Sequence, residues 1–187
     1  MNKFGIAVEG ESDRKILKEI FEKLNINIED DDIKLPTAHS GGKDQLYKNM
    51  QKLVSKFSYR YKCIIFLVDY DNSEDWAEKF KTRKDEIQRQ NPQMKIYLHF
   101  AKQEIESWLL GCYDDSLKEA KNEEPDNVSD PVKLLEKCIK KKEKNNEFKY
   151  NKSVDGQKIA GKNELKHFEH SKSFKEFRKI LENLYKI

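Results

Sequence analysis

The 187 residues carry 37 Lys and Arg against 34 Asp and Glu, a formal net charge of +3, too balanced for overall charge to demand a polyanionic partner. That length suits one domain, or a compact domain with a modest appendage, and can bury a sizeable core. Cys63, Cys112 and Cys138 lie far apart without CxxC or Cys/His ligand spacing, which argues against a disulfide framework or zinc site and fits a reducing cytoplasm. With no apolar signal core at the N-terminus and no run approaching the roughly 18 to 20 apolar residues that cross a bilayer, the chain is expected to be soluble, cytoplasmic and free of membrane.

In chain order, residues 4–8 form a short apolar run bounded by Gly10, which reads as a strand. From Ser12 the pattern changes to helical spacing, with Ile16, Leu17, Ile20, Phe21 and Leu24 on one face. Residues 33–37 give a second short strand. The glycine loop HSGGKDQ follows, then a helix whose apolar face is Leu46, Met50, Leu53, Val54 and Phe57. In CIIFLVDYD six consecutive apolar residues, 63–68, suit a central parallel strand covered on both faces. A helix is expected from near Ser73, with Trp76, Phe80 and Ile87. Residues 95–100 alternate as a fourth strand, and a helix is expected from Glu104 through Leu110. Alternating βα units of this length predict a Rossmann-like α/β fold, a mostly parallel four-stranded sheet with helices on both faces. From about residue 114 the pattern weakens into an extension, 114–187, appended to a core at 1–113. Acidic residues gather at 29–32 and 114–126, and basic ones at 137–152, runs that usually mark solvated faces. Residues 123–131 read as a loop, 132–138 and 174–184 as amphipathic helices, and 145–162 as a polar loop.

Strands that run parallel end on one edge of the sheet, so Glu9 and Asp13, Asp69 and Asp71, and Glu104 and Glu106 are expected to converge there. Carboxylates brought together repel unless cations neutralise them or some are protonated. Hard oxygen donors of this kind suit Mg²⁺ or Mn²⁺, which binds substrate phosphate as well. In Asp69-Tyr70-Asp71 the alternation of an extended chain would turn both carboxylates to one ion and Tyr70 away. Gly10 would let backbone N–H groups approach a phosphate and would tolerate unusual φ/ψ. Gly41, Gly42 and Lys43 precede a helix and could cradle phosphate, although the GxxxxGK[ST] pattern is missing. Ser12 or Asp13 would start the first helix, and Glu11 is the replaceable acid of the stretch. Among the histidines, His39, His167 and His170 show no catalytic spacing, and His99 is a marginal candidate beside Glu104 and Glu106. Trp76 and Trp108 read as core rather than base-stacking platforms.

IAVEGESD and FLVDYD, in that order and at that separation, resemble the Toprim domain of topoisomerases and primase-type enzymes. AKQEIESWLL, KYNKSVDGQKIA and SKSFKEF look like small stand-alone Toprim proteins related to the overcoming-lysogenization-defect (OLD) nucleases of prokaryotic phage defence, a likeness over most of the chain. The resemblance implies a Toprim fold and a metal-dependent nuclease acting on nucleic acid, with DNA ahead of RNA. Glu9 would be a metal ligand or general acid/base, Asp69 and Asp71 the metal-binding DxD, and Asp13, Glu104 and Glu106 the holders of a second Mg²⁺ or Mn²⁺. A catalytic lysine would be Lys152 or Lys158. No topoisomerase flanking domains and no ATPase motor are present, so any ATPase would be a partner. The alternatives are a primase-like nucleotidyl or phosphoryl transferase on the same site, and a non-catalytic subunit that binds nucleic acid or a partner.

Overall fold

The computed structural model describes residues 4–36, 41–113 and 124–185. Four βα-type steps run β1 (Gly5–Ala7), α1 (Glu11–Lys23), β2 (Ile33–Lys34), α2 (Lys43–Ser58), β3 (Cys63–Asp69), α3 (Glu74–Gln90), β4 (Lys95–Ala101) and the short α4 (Glu106–Leu110). They are followed by α5 (Pro131–Glu143), a π turn (Lys152–Gly156) that runs into α6 (Gln157–Lys162), then α7 (Leu165–Phe168) and α8 (Lys172–Tyr185). The sheet order is β2-β1-β3-β4 and every pairing is parallel, with Ala7 opposite Phe66 and Asp69 opposite Ala101. The fold is α/β and Rossmann-like, as the alternation of elements predicts.

β3 is central, and its side chains show why it is apolar throughout. Cys63, Ile65 and Leu67 enter the core on one face; Ile64, Phe66 and Val68 enter the core on the other. The second face is closed by Leu46, Met50, Val54 and Phe57 of α2 and by Phe80 and Ile87 of α3. On the first face, Ile16, Leu17, Ile20 and Phe21 of α1 meet Trp108 of α4, Leu135 and Ile139 of α5, Ile159 of α6, and Phe174, Phe177 and Leu181 of α8. The C-terminal segments therefore share the hydrophobic core of the sheet rather than forming one of their own.

Several boundaries differ from the sequence reading. β2 has two residues rather than five, because Pro36 has no N–H to give a ladder; Thr37 lies outside the described residues. α4 starts at Glu106 instead of Glu104, since the residues before it close tighter i→i+3 turns, the Ser107 N–H donating to the Glu104 carbonyl (2.9 Å) and the Trp108 N–H to the Ile105 carbonyl (3.1 Å). α5 extends to Glu143 and closes at Lys144, which is left-handed at φ 53°. The segment read as a polar loop at 145–162 contains the π turn and α6. Gly156, Ile159 and Ala160 are its buried residues, with Phe148 and Tyr150 packed partly against the core. Gln157 Nε2 donates to Glu19 Oε1 (2.8 Å) and Lys23 Nζ to the Gly161 carbonyl (2.7 Å), which fixes this segment on α1. The acidic run at 114–123 and His39 lie outside the described residues. Among the described residues no helix is long and apolar enough to cross a membrane.

Candidate active site at the strand ends

Three parallel strands deliver their C-terminal ends to one edge, the place where open α/β sheets bind ligands. Glu9, two residues beyond β1, turns toward β3, and its Oε1 accepts the Asp69 N–H at 2.9 Å. Asp69, the last residue of β3, reaches on with Oδ1 to the Ile105 N–H. Asp13, in the first turn of α1, accepts the Gly10 N–H at 2.9 Å and so caps the helix from within. Glu106 opens α4 and is only 1% exposed. Its Oε2 stands 3.7 Å from Lys152 Nζ, while its buried Oε1 has no hydrogen-bond partner among the described residues. Lys152, first residue of the π turn, also bonds Glu104.

The electrostatics follow from taking these groups out of water. Burial first, then the charges of Asp13 and Asp71, push the Glu9 carboxyl up to about 7 against the opposing effects of the Asp69 N–H and Lys43. Burial likewise lifts Asp13 to about 6 and Glu106 to about 7, the latter despite Lys152. Asp69 is raised well above the carboxylate range by burial and by Asp13, Glu9, Glu106 and Asp71 in that order. Lys152 moves the other way: burial works to lower its pKa, but Glu106 and Glu104 together hold the ammonium above its ordinary value. Such a cluster holds protons to higher pH than isolated carboxylates do.

Asp71 is the exposed member of the group, although its charge still acts on Glu9 and Asp69. It lies past the end of β3 in a left-handed turn (φ 47°), so the alternation of an extended chain no longer governs it, and its exposed carboxylate pairs with Lys43 Nζ at 2.6 Å. Its N–H is donated to the Gln103 carbonyl (2.9 Å), and Gln103 Nε2 donates to Asn72 Oδ1 (2.7 Å). Asn72 (φ 51°) and Gln103 (φ 60°) are left-handed too. Three such non-glycine residues, each costing about 1 kcal/mol, in one pair of turns are the kind of stored strain that gathers at functional sites. Tyr70 does face away, edge-on to Phe100, with Lys102 over its ring at 4.1 Å.

Of the glycines, Gly10 does not do what its position suggests. Its φ of −148° is ordinary extended backbone, its N–H is already given to Asp13, and a Cβ there would make only ordinary contacts at 3.7 and 3.8 Å. Gly41 carries the steric demand instead: a Cβ would stand 2.3 Å from the Glu9 carbonyl oxygen, the same oxygen that accepts the Gly42 N–H at 2.7 Å. Gly42, at φ 104°, precedes α2 as its N-cap, and Lys43 is the first residue of that helix. Gly10→Ala is therefore expected to fold as the parent does, whereas Gly41→Ala should displace Glu9. Thermal melts of the two variants check this: Gly41→Ala should melt several degrees below the parent and Gly10→Ala close to it, and equal melting of all three would contradict the close approach.

Lys152, and not Lys158, reaches the acidic group; Lys158 lines a cavity of about 330 Å³ on the far side of the π turn with Cys112, Tyr113 and Phe148. His99 is a core residue. Its Nε2 bonds the Ser173 carbonyl at 2.9 Å, its ring packs on Phe177 and Trp108, and burial brings it down to about 4, so it stays neutral. Trp108 is fully buried and Trp76 partly so, beside Tyr47 and Lys79. Glu11 pairs with Arg14 on the surface of α1 (2.8 Å), away from the buried group. Gln103, which ties the two turns together through Asp71 and Asn72, is a residue that type and spacing do not reveal.

The donors suit a hard divalent cation, since all are carboxylate oxygens and one, Glu106 Oε1, is buried without a partner. Among the described residues, no three Asp, Glu, His or Cys side chains form a ready-made coordination sphere.

Residues 8–182 match the family described as a domain of unknown function, DUF4276. The chain belongs to that family. No curated protein and no solved structure matches it. The DUF4276 span opens one residue before Glu9 and runs into α8, so the sheet, the acidic edge and the π turn with Lys152 all belong to one family unit.

Proposed function

We propose that this DUF4276 protein is a Toprim-type, metal-dependent phosphodiesterase acting on nucleic acid. The observation that carries the reading is the convergence of Glu9, Asp13, Asp69 and Glu106 at the C-terminal edge of a parallel sheet, with Lys152 beside Glu106, Asp13 and Asp69 and Lys43 beside Glu9. Glu9, Asp13, Asp69 and Glu106 would hold Mg²⁺ or Mn²⁺, with Glu104 and Asp71 at the margin. Bound there, such ions supply an activated water and charge stabilisation for in-line displacement at phosphorus. Lys152 would place a positive charge beside the phosphate oxygens as negative charge grows on them. The Asp69 N–H and the Gly42 N–H hold Glu9 from its side chain and its carbonyl, so the carboxylate is aimed before any substrate arrives. DNA is the substrate we favour, with an ATPase as partner in a cytoplasmic phage-defence system; the likeness of IAVEGESD, FLVDYD and AKQEIESWLL to OLD-type proteins supports this.

Incubating the purified protein with supercoiled plasmid, linear duplex, single strands and structured RNA, in Mg²⁺, Mn²⁺ or EDTA, tests the proposal. Cleavage of at least one substrate is expected, dependent on the metal, and reduced at least about 100-fold in Glu9→Gln and Asp69→Asn. Cleavage undiminished in those variants, or absent with every substrate, would contradict it.

A further inference from the structure

Tyr150 lies just before the π turn, and the acidic site as described makes no use of it. Its N–H is donated to Glu136 Oε2 of α5 at 3.0 Å, which fixes the backbone, and its ring packs against the core shared by α1 and α4. The hydroxyl is held over the π turn: a Cβ on Gly156 would stand 3.0 Å from Tyr150 Oη and 2.9 Å from Ile16 Cδ1. That same turn carries Lys152, whose Nζ is 3.7 Å from Glu106 Oε2. Tyr150 Oη is buried and has no hydrogen-bond partner among the described residues, and the same is true of Glu106 Oε1. A buried phenol and a buried carboxylate oxygen thus share one neighbourhood, a donor without an acceptor and an acceptor without a donor. Burial, followed by the negative charge of Glu106, keeps the phenol protonated. Leaving either atom unsatisfied is costly, and a single water between them would satisfy both, accepting from Tyr150 and donating to Glu106.

We propose that Tyr150 is a positioning residue, which orients the Glu106 carboxylate through a shared water. Its effect depends on the metal-holding role proposed for Glu106, since partners that orient a ligand carboxylate tune its affinity. Phenylalanine keeps the ring and its packing and removes only the hydroxyl.

The test is Mn²⁺ binding, followed by titration calorimetry on the full chain, for the wild type, Tyr150→Phe, Glu106→Gln and the double variant, with melts of each in EDTA. Tyr150→Phe is expected to melt in EDTA where the wild type does yet to bind Mn²⁺ about ten-fold more weakly. In the Glu106→Gln background the same change should cost at most about two-fold, because both act through one water. Wild-type affinity in Tyr150→Phe, or an equal loss in both backgrounds, overturns the role of Tyr150 while leaving the metal site intact. If the wild type binds no Mn²⁺, the role of Tyr150 and the metal reading fall together.

Discussion

Between pH 6.5 and 8, the protein in EDTA is expected to lose thermal stability as pH rises, and saturating Mg²⁺ is expected to raise Tm and flatten that slope. The sign comes from the carboxylates. Glu9 and Glu106 titrate near 7 when folded and near 4.5 when unfolded, so between these values the folded chain holds more protons and each unit of rising pH favours unfolding. Asp69, raised further, acts in the same direction. His99, lowered to about 4, opposes this only below about 6.5, where the unfolded imidazole takes up its proton, which sets the lower limit of the window. Cys63 and Cys112, pushed up to about 12, matter only above pH 8. For two groups passing through 7, the loss from pH 6.5 to 8 is about 1–3 kcal/mol, or roughly 5 °C in a domain of this size. A cation that binds the ionised carboxylates replaces the protons and removes the dependence. Differential scanning fluorimetry at four pH values with and without Mg²⁺ measures this; a Tm in EDTA that is flat or rises from pH 6.5 to 8 would contradict it.

Asp126→Ala is expected to destabilise the fold strongly. Asp126 is 5% exposed and accepts from Ser171 Oγ (2.6 Å), the Ser173 N–H (2.7 Å) and Ser173 Oγ (3.0 Å). Ser173 Oγ in turn accepts from Trp108 Nε1 at 2.9 Å and from the Lys102 N–H at 3.3 Å, while Ser171 Oγ caps α8 by accepting the Phe174 N–H at 3.0 Å. Removing the carboxylate strands donors that are buried, including the Ser173 N–H. At about 1–3 kcal/mol for each unsatisfied group, the loss should be about 3–5 kcal/mol, a fall in Tm of roughly 10 °C. Asp126→Asn keeps one acceptor oxygen and should lose about half as much. Urea melts with unchanged m-values would show that the loss is native-state stability; equal stability of Asp126→Ala and the parent would mean the network contributes nothing.

The strands and their common edge were legible because β3 is covered on both faces and so had to be apolar over its whole length, and because each acidic pair follows a strand end. That logic identified Glu9, Asp13, Asp69 and Glu106 correctly as neighbours. Asp71 does place its charge near Glu9 and Asp69, but through a left-handed turn rather than by extended alternation, and at Gly10 the N–H was spent on the capping carboxylate. Lys152 could not be separated from Lys158 by sequence, since both lie in a polar run and only the packing of the π turn on α1 decides which faces the acids. Tyr150 gave no signal of its own, because the neighbours of its hydroxyl come from distant elements, and Gly41, read as part of a phosphate cradle, has a steric role, close approach to a carbonyl, that spacing does not show.

The chemistry itself is tested most directly by hydrolysis of a simple diester, bis(p-nitrophenyl) phosphate, which needs no knowledge of the natural nucleic acid. With Mn²⁺, the wild type is expected to release nitrophenolate above the metal-only rate, EDTA to stop it, and Asp69→Asn and Lys152→Met each to reduce it at least about 100-fold while remaining folded. A rate equal to that of Mn²⁺ alone, or one unchanged by either substitution, would contradict a phosphodiesterase at this sheet edge.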